Sequence, residues 1–123
     1  MADGWVRLYR QSVERGWLKN HKLWAFWTWC LLKSTHQEYT ETVGFQRVLL
    51  HPGEFIFGRD AAAKELGMSV QSIRTCVDIL RKRQNLTIKS TNKFSIVSIR
   101  NWNSYQNENG ASNQQINQQV TSK

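Results

Sequence analysis

Residues 59–75 read RDAAAKELGMSVQSIRT, a pattern typical of two short helices joined by a tight turn. Ala62 and Leu66 stand four positions apart, which predicts an apolar face on the first helix. Gly67 predicts the end of that helix, because glycine accepts the left-handed backbone that helix ends commonly need. Ser69 has a side chain suited to capping a second helix. The stretch therefore predicts a helix-turn-helix, with an ordinary two-helix corner of another fold as the alternative.

The second helix is predicted to have an apolar side and a polar side. Ile73, Val77 and Leu80 repeat at helical spacing and predict the side that packs against the rest of the domain. Polar residues at its first turns are of the kinds that read base edges when a helix lies in the major groove of DNA. The candidates for base reading are Ser69, Gln71, Ser72, Arg74 and Thr75. Arg74 and Gln71 are the best of these, because arginine pairs with guanine and glutamine with adenine in bidentate geometry.

A β-hairpin is predicted directly after this helix. Residues 86–90 and 94–99 have the alternation and the β-branched content typical of strands. Asn92 stands in the polar break between them and tolerates the positive φ of tight turns. Lys89 on the ribbon and Lys93 at its tip are placed to contact a phosphate or a minor groove; alternatively, they only keep an exposed hairpin soluble. A helix-turn-helix followed by a hairpin is the order expected of a winged helix.

The chain carries a formal net charge of +8, and this charge is unevenly distributed. Residues 59–93 hold eight basic side chains and three acidic ones. A positive surface attracts polyanions and releases counterions on contact, so DNA, most simply double-stranded, is the expected partner. The residues expected to contact phosphates are Arg59, Arg81, Lys82, Arg83, Lys89, Asn92 and Lys93. The basic cluster at 81–83 also suits the negative end of its own helix.

Other residue types exclude several classes of function. Cys30 and Cys76 have neither the paired spacing of zinc sites nor that of a disulfide framework, and the three histidines are scattered. No nucleophile–base pair, paired carboxylates or glycine-rich phosphate loop stands at an interpretable spacing, so we expect no catalytic residues, metal or cofactor. No signal-like start and no run of membrane-spanning length is evident. We therefore expect a cytoplasmic protein in a reduced compartment that is not an enzyme and has no membrane partner.

Five of the six tryptophans fall within residues 5–29. In this region Asn20 is a suitable N-cap for a helix from His21 to Lys33. Large aromatic side chains bury much apolar area, so we expect the tryptophan-rich N-terminal region to form core or a self-association surface. Stacking of one or two rings on unpaired bases is the alternative.

The remaining segments of the domain carry weaker patterns. Residues 34–44 are polar and predict a loop, whereas 45–50 and 55–57 are strand-like. The Pro-Gly pair at 52–53 suits the centre of a type II turn. Residues 101–106 are expected to fold back on the core as a short turn, with a protein–protein surface as the alternative.

Asparagine and glutamine dominate residues 107–123, which show no apolar periodicity. We expect this tail to be a disordered, low-complexity linker. The predicted organisation is therefore a winged-helix DNA-binding domain over residues 1–106, followed by the tail. The predicted fold class is α+β, mainly α: a winged helix-turn-helix with a C-terminal β-hairpin wing.

Four pieces of the sequence carry a family resemblance: PGEF at 52–55, LGMSVQSIRT at 66–75, LTIKSTNK at 86–93 and IRNWNSYQ at 99–106. In this order they resemble the N-terminal winged-helix domain of phage and prophage replication initiation proteins. These are the DnaD-like replisome organisers and primosomal proteins. The resemblance covers about residues 17–106, most of the part expected to be ordered.

The resemblance implies origin binding, primosome assembly and self-association. In that family a further C-terminal domain recruits the replicative helicase or its loader, and this chain departs from the plan by stopping inside the linker. Two other hypotheses stand beside replication initiation: a winged-helix transcriptional regulator, and a winged-helix module that binds protein instead of DNA. A shallow salt dependence of binding would favour the protein-binding module, because phosphate contacts give a steep one.

Overall fold

A computed structural model describes residues 4–106, which fall into two compact units. One unit, Leu8–Arg100, holds all the described strands and every described helix except the last. The other combines residues 4–7 with 101–106. The tail predicted at 107–123 lies outside the described residues.

Helices and strands are interspersed along the chain. The helical segments are α1 (Gln11–Glu14), a 3₁₀ helix (Trp17–Lys19), α2 (His21–Lys33), α3 (Arg59–Leu66), α4 (Val70–Lys82) and α5 (Trp102–Gln106). The strands are β1 (Tyr39–Val43), β2 (Gln46–Leu50), β3 (Glu54–Phe57), β4 (Leu86–Ser90) and β5 (Ser95–Ile99). The predicted α+β class is confirmed, with two antiparallel sheets in the described part of the chain. None of the described helices is long and apolar enough to cross a membrane.

The two helices predicted from the opening stretch are confirmed, and so are the residues that separate them. α3 ends at Gly67, whose φ is +67°, and the Met68 amide donates to the Ala63 carbonyl at 3.0 Å. Ser69 caps α4 by accepting a hydrogen bond from the Ser72 amide at 3.0 Å. A glycine and a hydroxyl side chain thus supply the left-handed backbone and the acceptor that the two helix ends need.

β5 is the central strand of a three-stranded antiparallel sheet, with β3 on one side and β4 on the other. Val97 stands opposite both Phe55 of β3 and Ile88 of β4. Phe55, Phe57, Val97 and Ile99 are all buried, so alternate residues of β3 and β5 face the core. The hairpin predicted after the second helix is therefore confirmed as β4 and β5.

Helix α2 supplies the centre of the core. Its predicted cap forms, because the Asn20 Oδ1 accepts a hydrogen bond from the Leu23 amide at 3.1 Å. The Phe26 and Trp29 rings pack against the two phenylalanines of β3, with centroid separations between 5.5 and 6.3 Å. Edge-to-face aromatic contacts of this kind add to the apolar area that the cluster buries. The sheet and α2 are thus joined by an aromatic cluster.

The loop predicted for residues 34–44 is wrong, because β1 (Tyr39–Val43) lies within it. This strand pairs antiparallel with β2 (Gln46–Leu50) in a separate two-stranded sheet, and Gly44 makes the reversal with a φ of +63°. β1 reads YTETV, and three of its five side chains are exposed. Its polar composition indicated a loop, although its β-branched residues favour a strand.

A tight turn links the two-stranded sheet to the three-stranded one. The Glu54 amide donates to the His51 carbonyl at 3.0 Å, and Gly53 has a φ of +87°. These are the marks of the predicted type II turn, with Pro52 at its second position. The Gly53 carbonyl also accepts from the Ile99 amide at 2.9 Å. The turn is therefore anchored to the end of β5.

In the second unit the two ends of the described chain are hydrogen-bonded to each other. The Arg7 amide donates to the Gln106 Oε1 at 2.8 Å, and the Arg7 carbonyl accepts from the Gln106 Nε2 at 3.0 Å. The Arg7 guanidinium carbon lies 5.7 Å from the centroid of the Trp5 ring. The turn predicted at 101–106 takes the form of the short helix α5.

Candidate functional site

Helix α4 has one buried side and one side open to solvent. Ile73, Val77 and Leu80 are buried, as their helical spacing predicted. The solvent side carries three of the five residues predicted to read bases: Gln71, Arg74 and Thr75. Their exposure leaves them available to a ligand, and base reading by them stays a prediction.

The other two predicted base-reading residues, Ser69 and Ser72, are engaged at the start of α4. The Ser69 Oγ accepts from the Ser72 amide and donates to the Ser72 Oγ, both at 3.0 Å. The Ser72 hydroxyl, which is only half-buried, also accepts from the Lys22 Nζ at 3.2 Å. These hydroxyls therefore already have partners, and their observed role is to cap the helix and connect it to α2.

Arg74 is the side chain of this face with the most unused hydrogen-bonding capacity. Gln71 and Thr75 interact locally, since the Thr75 hydroxyl donates to the Gln71 carbonyl at 3.0 Å and the Gln71 amide reaches the Thr75 Oγ1 at 3.5 Å. Arg74 makes no side-chain hydrogen bond, ion pair or ring contact within residues 4–106. Its five guanidinium donors are therefore not used by any described residue and are available to a ligand.

One acidic residue on this face was counted in the charge of residues 59–93 but was given no role there. Asp78 is exposed, and a helical repeat of 3.6 residues puts it on the same stripe as Gln71, Thr75 and Lys82. A carboxylate there repels phosphate and accepts hydrogen bonds from amino groups such as that of cytosine. The spacing alone could have identified this residue, because the buried positions of α4 were already known from their period.

All seven residues predicted to contact phosphates are exposed. They are Arg59 at the start of α3, Arg81, Lys82 and Arg83 at the end of α4, Lys89 on β4, and Asn92 and Lys93 in the following turn. Ion pairs within residues 4–106 join Lys33 to Glu65 at 3.4 Å and His51 to Glu38 at 3.3 Å. None of the six cations among the seven is therefore neutralised by a carboxylate in the described chain. An uncompensated positive surface of this kind attracts polyanions.

The tip of the β4–β5 hairpin is organised by Thr91. Its hydroxyl donates to the Phe94 carbonyl at 3.0 Å and accepts from the amides of Lys93 and Phe94 at 3.3 and 3.2 Å. Asn92 does not use the left-handed backbone that it tolerates, because positive φ outside glycine occurs at Gln84 and Asn101 in the described chain. Thr91 therefore holds the backbone beside Lys93, a role that the sequence analysis did not assign.

Part of the tryptophan-rich region contributes to the core, whereas Trp5 is exposed. Trp27 is buried, and Trp17, Trp24 and Trp29 are half-buried. The Trp17 ring lies 5.6 Å from Trp27 and 6.4 Å from Trp24, and the Arg83 guanidinium carbon lies 5.6 Å from the Trp17 centroid. This cation–π contact gives one of the predicted phosphate-binding residues a partner within the protein. Self-association through this region stays a prediction.

Both cysteines are free and buried. Burial, and secondarily the neighbouring Cys76, raises the pKa of the Cys30 thiol well above its usual value. Burial also raises the pKa of Cys76, although Lys22 opposes that shift. Both thiols are therefore protonated at neutral pH and poor nucleophiles. No group of three or more histidine, cysteine or acidic residues that could hold a metal occurs in residues 4–106.

No family model, curated protein or solved structure matches this chain. The functional assignment therefore comes from the sequence pattern and from the geometry of residues 4–106. That geometry presents an exposed arginine on α4, a hairpin that directly follows the helix, and basic side chains without acidic partners.

Proposed function

We propose that the chain binds double-stranded DNA as a winged helix-turn-helix, with α4 in the major groove and the β4–β5 hairpin as the wing. The observation that carries this proposal is the chain order β3–α3–α4–β4–β5 combined with the sheet order β3–β5–β4. In this arrangement a hairpin follows directly on the helix that exposes Arg74. A single helix with free polar side chains is the element that major-groove readers use.

Base reading is assigned to the exposed stripe of α4. Arg74 donates two hydrogen bonds to the O6 and N7 of a guanine, and Gln71 is the candidate for an adenine. Asp78, further along the helix, disfavours phosphate and accepts from a cytosine amino group. A good bidentate contact is worth about 1–3 kcal/mol of discrimination, so Arg74 should dominate sequence preference.

Phosphate binding is assigned to the basic residues around this stripe. Lys89 and Lys93 of the hairpin contact the backbone of the duplex, and Arg59 does so from the start of α3. Lys22 stands at the N-terminus of α4, where helix amides and an ammonium group together favour an anion. Each such contact adds to the salt dependence of binding through counterion release.

We further propose that this DNA-binding activity serves replication initiation of the phage or mobile-element type. The support is the resemblance of the four sequence pieces to DnaD-like initiators, in which the winged helix binds the origin or partners near it. A transcriptional regulator would use the same DNA-reading residues on an operator. The position of the bound site in its genome, at an origin or at a promoter, distinguishes the two roles.

The test is selection from a pool of random duplexes, followed by affinity measurements on the enriched site at several salt concentrations. We expect a defined site and a steep salt slope. Arg74→Ala should bind with much weaker sequence preference, whereas Arg47→Ala, which alters an exposed arginine of β2, should behave as wild type. An Arg74→Ala protein that selects the same site with unchanged affinity would overturn the groove assignment.

A second candidate function is protein binding, and the β1–β2 hairpin favours it. Phe45 at its tip is fully exposed, and Tyr39 and Leu49 are each more than half exposed. Exposed apolar groups on a two-stranded sheet are typical of contact surfaces for other proteins, including a helicase, a loader or a second copy. If the protein does not bind duplex DNA at low salt, protein binding becomes the favoured function.

A further inference from the structure

A cleft of about 290 Å³ lies within the Leu8–Arg100 unit and is lined by Arg15, Trp17, Arg83 and Asn85. Arg15 follows α1, and Trp17 begins the 3₁₀ helix. Arg83 and Asn85 belong to the short connection between α4 and β4. Two segments that are far apart in the sequence therefore build one cavity.

The charge of the cleft favours an anion. Among the described residues, both charged side chains that line it are arginines, and none is acidic. The ion pairs of residues 4–106 join Lys33 to Glu65 and His51 to Glu38, so neither cleft guanidinium is paired with a carboxylate. Two unpaired guanidinium groups at one cavity present planar forks of donors, which suit a phosphate best.

An aromatic wall stands beside the two arginines. The Trp17 ring is fixed by Trp27 and Trp24, whose centroids lie 5.6 and 6.4 Å from it, and Arg83 lies over the ring at 5.6 Å. Trp17 is only half-buried, so the residue remains partly accessible to a ligand. Tryptophan next to arginine is a combination that binds a nucleobase by stacking and its phosphate by charge.

Asn85, which lines the same cleft, has a buried side-chain oxygen, Oδ1, without a hydrogen-bond partner in the described chain. Its backbone is fixed, because its amide donates to the Leu80 carbonyl at 2.9 Å and its carbonyl accepts from the Arg100 amide at 3.0 Å. Buried polar atoms are nearly always hydrogen-bonded, so this side chain is a candidate partner for an N–H or O–H donor of a ligand.

We propose that this cleft binds a nucleoside phosphate. The phosphate lies between the guanidinium groups of Arg15 and Arg83, the base lies against Trp17, and a base or sugar donor bonds to Asn85. The cleft, at about 290 Å³, lies at the lower limit of small-molecule sites, which begin at about 300 Å³. Two sources share this chemistry: a free nucleotide, and an unpaired nucleotide of a DNA strand.

The site is separate from the duplex-reading stripe of α4. Arg83, expected from the sequence to contact duplex phosphate, is here assigned to the cleft, where Trp17 already holds it. The inference extends the proposed function without depending on it, because mononucleotides and single strands contain no major groove. Failure of duplex binding with retained nucleotide binding, or the reverse, separates the two proposals.

The experiment is a two-dimensional NMR titration of the full chain that follows the tryptophan indole N–H signals and the asparagine side-chain amides. The probes are dAMP, a short oligodeoxyadenylate with a 5′-phosphate, and inorganic phosphate. Trp17→Phe and Asn85→Ala identify the two reporter signals by their loss. We expect dAMP or the oligonucleotide to shift the Trp17 indole and the Asn85 amide, with saturation. The tighter of the two probes identifies the source.

Three variants make the test selective. Arg15→Gln and Arg83→Gln should each weaken nucleotide binding about tenfold or more, since each removes a charge-assisted hydrogen bond. Asn85→Ala should weaken nucleotide binding while leaving inorganic phosphate unaffected. Arg47→Gln, on the exposed side of β2, is the matched control and should bind as wild type. Arg15 is exposed at the end of α1, so its variant keeps the test decisive even if an Arg83 variant is poorly folded.

Two results would overturn the inference. One is the absence of any shift of the Trp17 and Asn85 signals with either nucleotide probe. The other is inorganic phosphate binding as tightly as dAMP, which would mean that the arginines hold any small anion and that the base is not recognised.

Discussion

The ammonium nitrogen of Lys22 lies 3.2 Å from the hydroxyl oxygen of Ser72, so α2 is hydrogen-bonded to the first turn of α4. This contact joins residues 50 positions apart at the end of the helix that we propose enters the major groove. It places a cation beside the helix N-terminus, where the helix dipole favours an anion instead. In the proposed DNA complex, Lys22 and the N-terminus of α4 would hold a phosphate together.

Lys22→Met should therefore affect DNA binding more than folding. We expect the melting temperature to change by less than about 4 °C, because the lost hydrogen bond is exposed. Duplex affinity should fall for every sequence, and the salt slope should decrease by about one unit. Lys19→Met, which alters an exposed lysine of the 3₁₀ helix, is the control. Equal losses of affinity in the two variants would contradict a specific role for Lys22.

Ser69→Ala should destabilise the protein by about 1 kcal/mol, because the first turn of α4 loses its capping acceptor. The free energy of unfolding from urea titration measures this change. Ser69→Asp should restore most of the stability, since aspartate caps equally well and suits the positive end of the helix. If Ser69→Ala is neutral, the Lys22 and Ser72 contacts hold the helix start by themselves.

Gly67→Ala should cost about 1–2 kcal/mol through backbone strain alone. The φ of Gly67 is +67°, and a Cβ added there meets nothing within 4 Å, so no side-chain clash contributes. Gly67→Asn should cost less, because asparagine visits the left-handed region more readily. Chemical denaturation measures both variants, and equal stability of the alanine and wild-type proteins would show that the turn relaxes to another conformation.

Asp78→Asn should strengthen binding to duplexes of unselected sequence. The exposed carboxylate shares the α4 stripe with Gln71 and Thr75, and its removal abolishes repulsion of the phosphate backbone. Affinity for non-specific DNA at low salt measures the effect, with Asp60→Asn on α3, an exposed aspartate outside the ion pairs of residues 4–106, as the matched comparison. If only Asp60→Asn increases the affinity, α3 and not α4 lies nearer the backbone.

The stability of the protein should decrease at alkaline pH because of Cys30. Burial raises the pKa of this thiol well above that of an unfolded chain, so the folded state keeps a proton that the unfolded state loses. The stability that the protonated Cys30 thiol contributes is fully present below about pH 8.5. Each pH unit above that value lowers the free energy of unfolding by up to about 1.4 kcal/mol. Unfolding free energies between neutral and alkaline pH measure the slope, which should be shallower in Cys30→Ala. Identical slopes for the two proteins would mean that the Cys30 thiol has the same pKa in the folded and unfolded states.

Much of the fold could be predicted from the sequence where structure depends on neighbouring residues. Asn20, Gly67 and Ser69 act as helix ends through hydrogen bonds and backbone angles within a few positions, so their residue types were sufficient. The turn at Gly53 could also be predicted, because glycine adopts the positive φ that this position needs. The strand β1 was missed because its side chains are mostly polar, and its pairing partner decides its conformation.

The candidate site was predicted less completely. The exposure of Arg74 followed from the period of the buried residues in α4, and Asp78 could have been found in the same way. The contact of Lys22 with Ser72 and the shared cleft of Arg15 and Arg83 could not, because each depends on distant segments brought together by the tertiary fold. The unpartnered Asn85 oxygen likewise depends on packing that no local pattern encodes.

The paired hydrogen bonds between Arg7 and Gln106 have a practical consequence for protein engineering. Because these residues are adjacent in space, a short peptide should be able to join the two segments covalently. A new start could then be opened at the exposed Gly44–Phe45 reversal between β1 and β2. Such a circular permutant would keep the order of α3, α4, β4 and β5 unbroken, and with it the whole surface assigned to DNA.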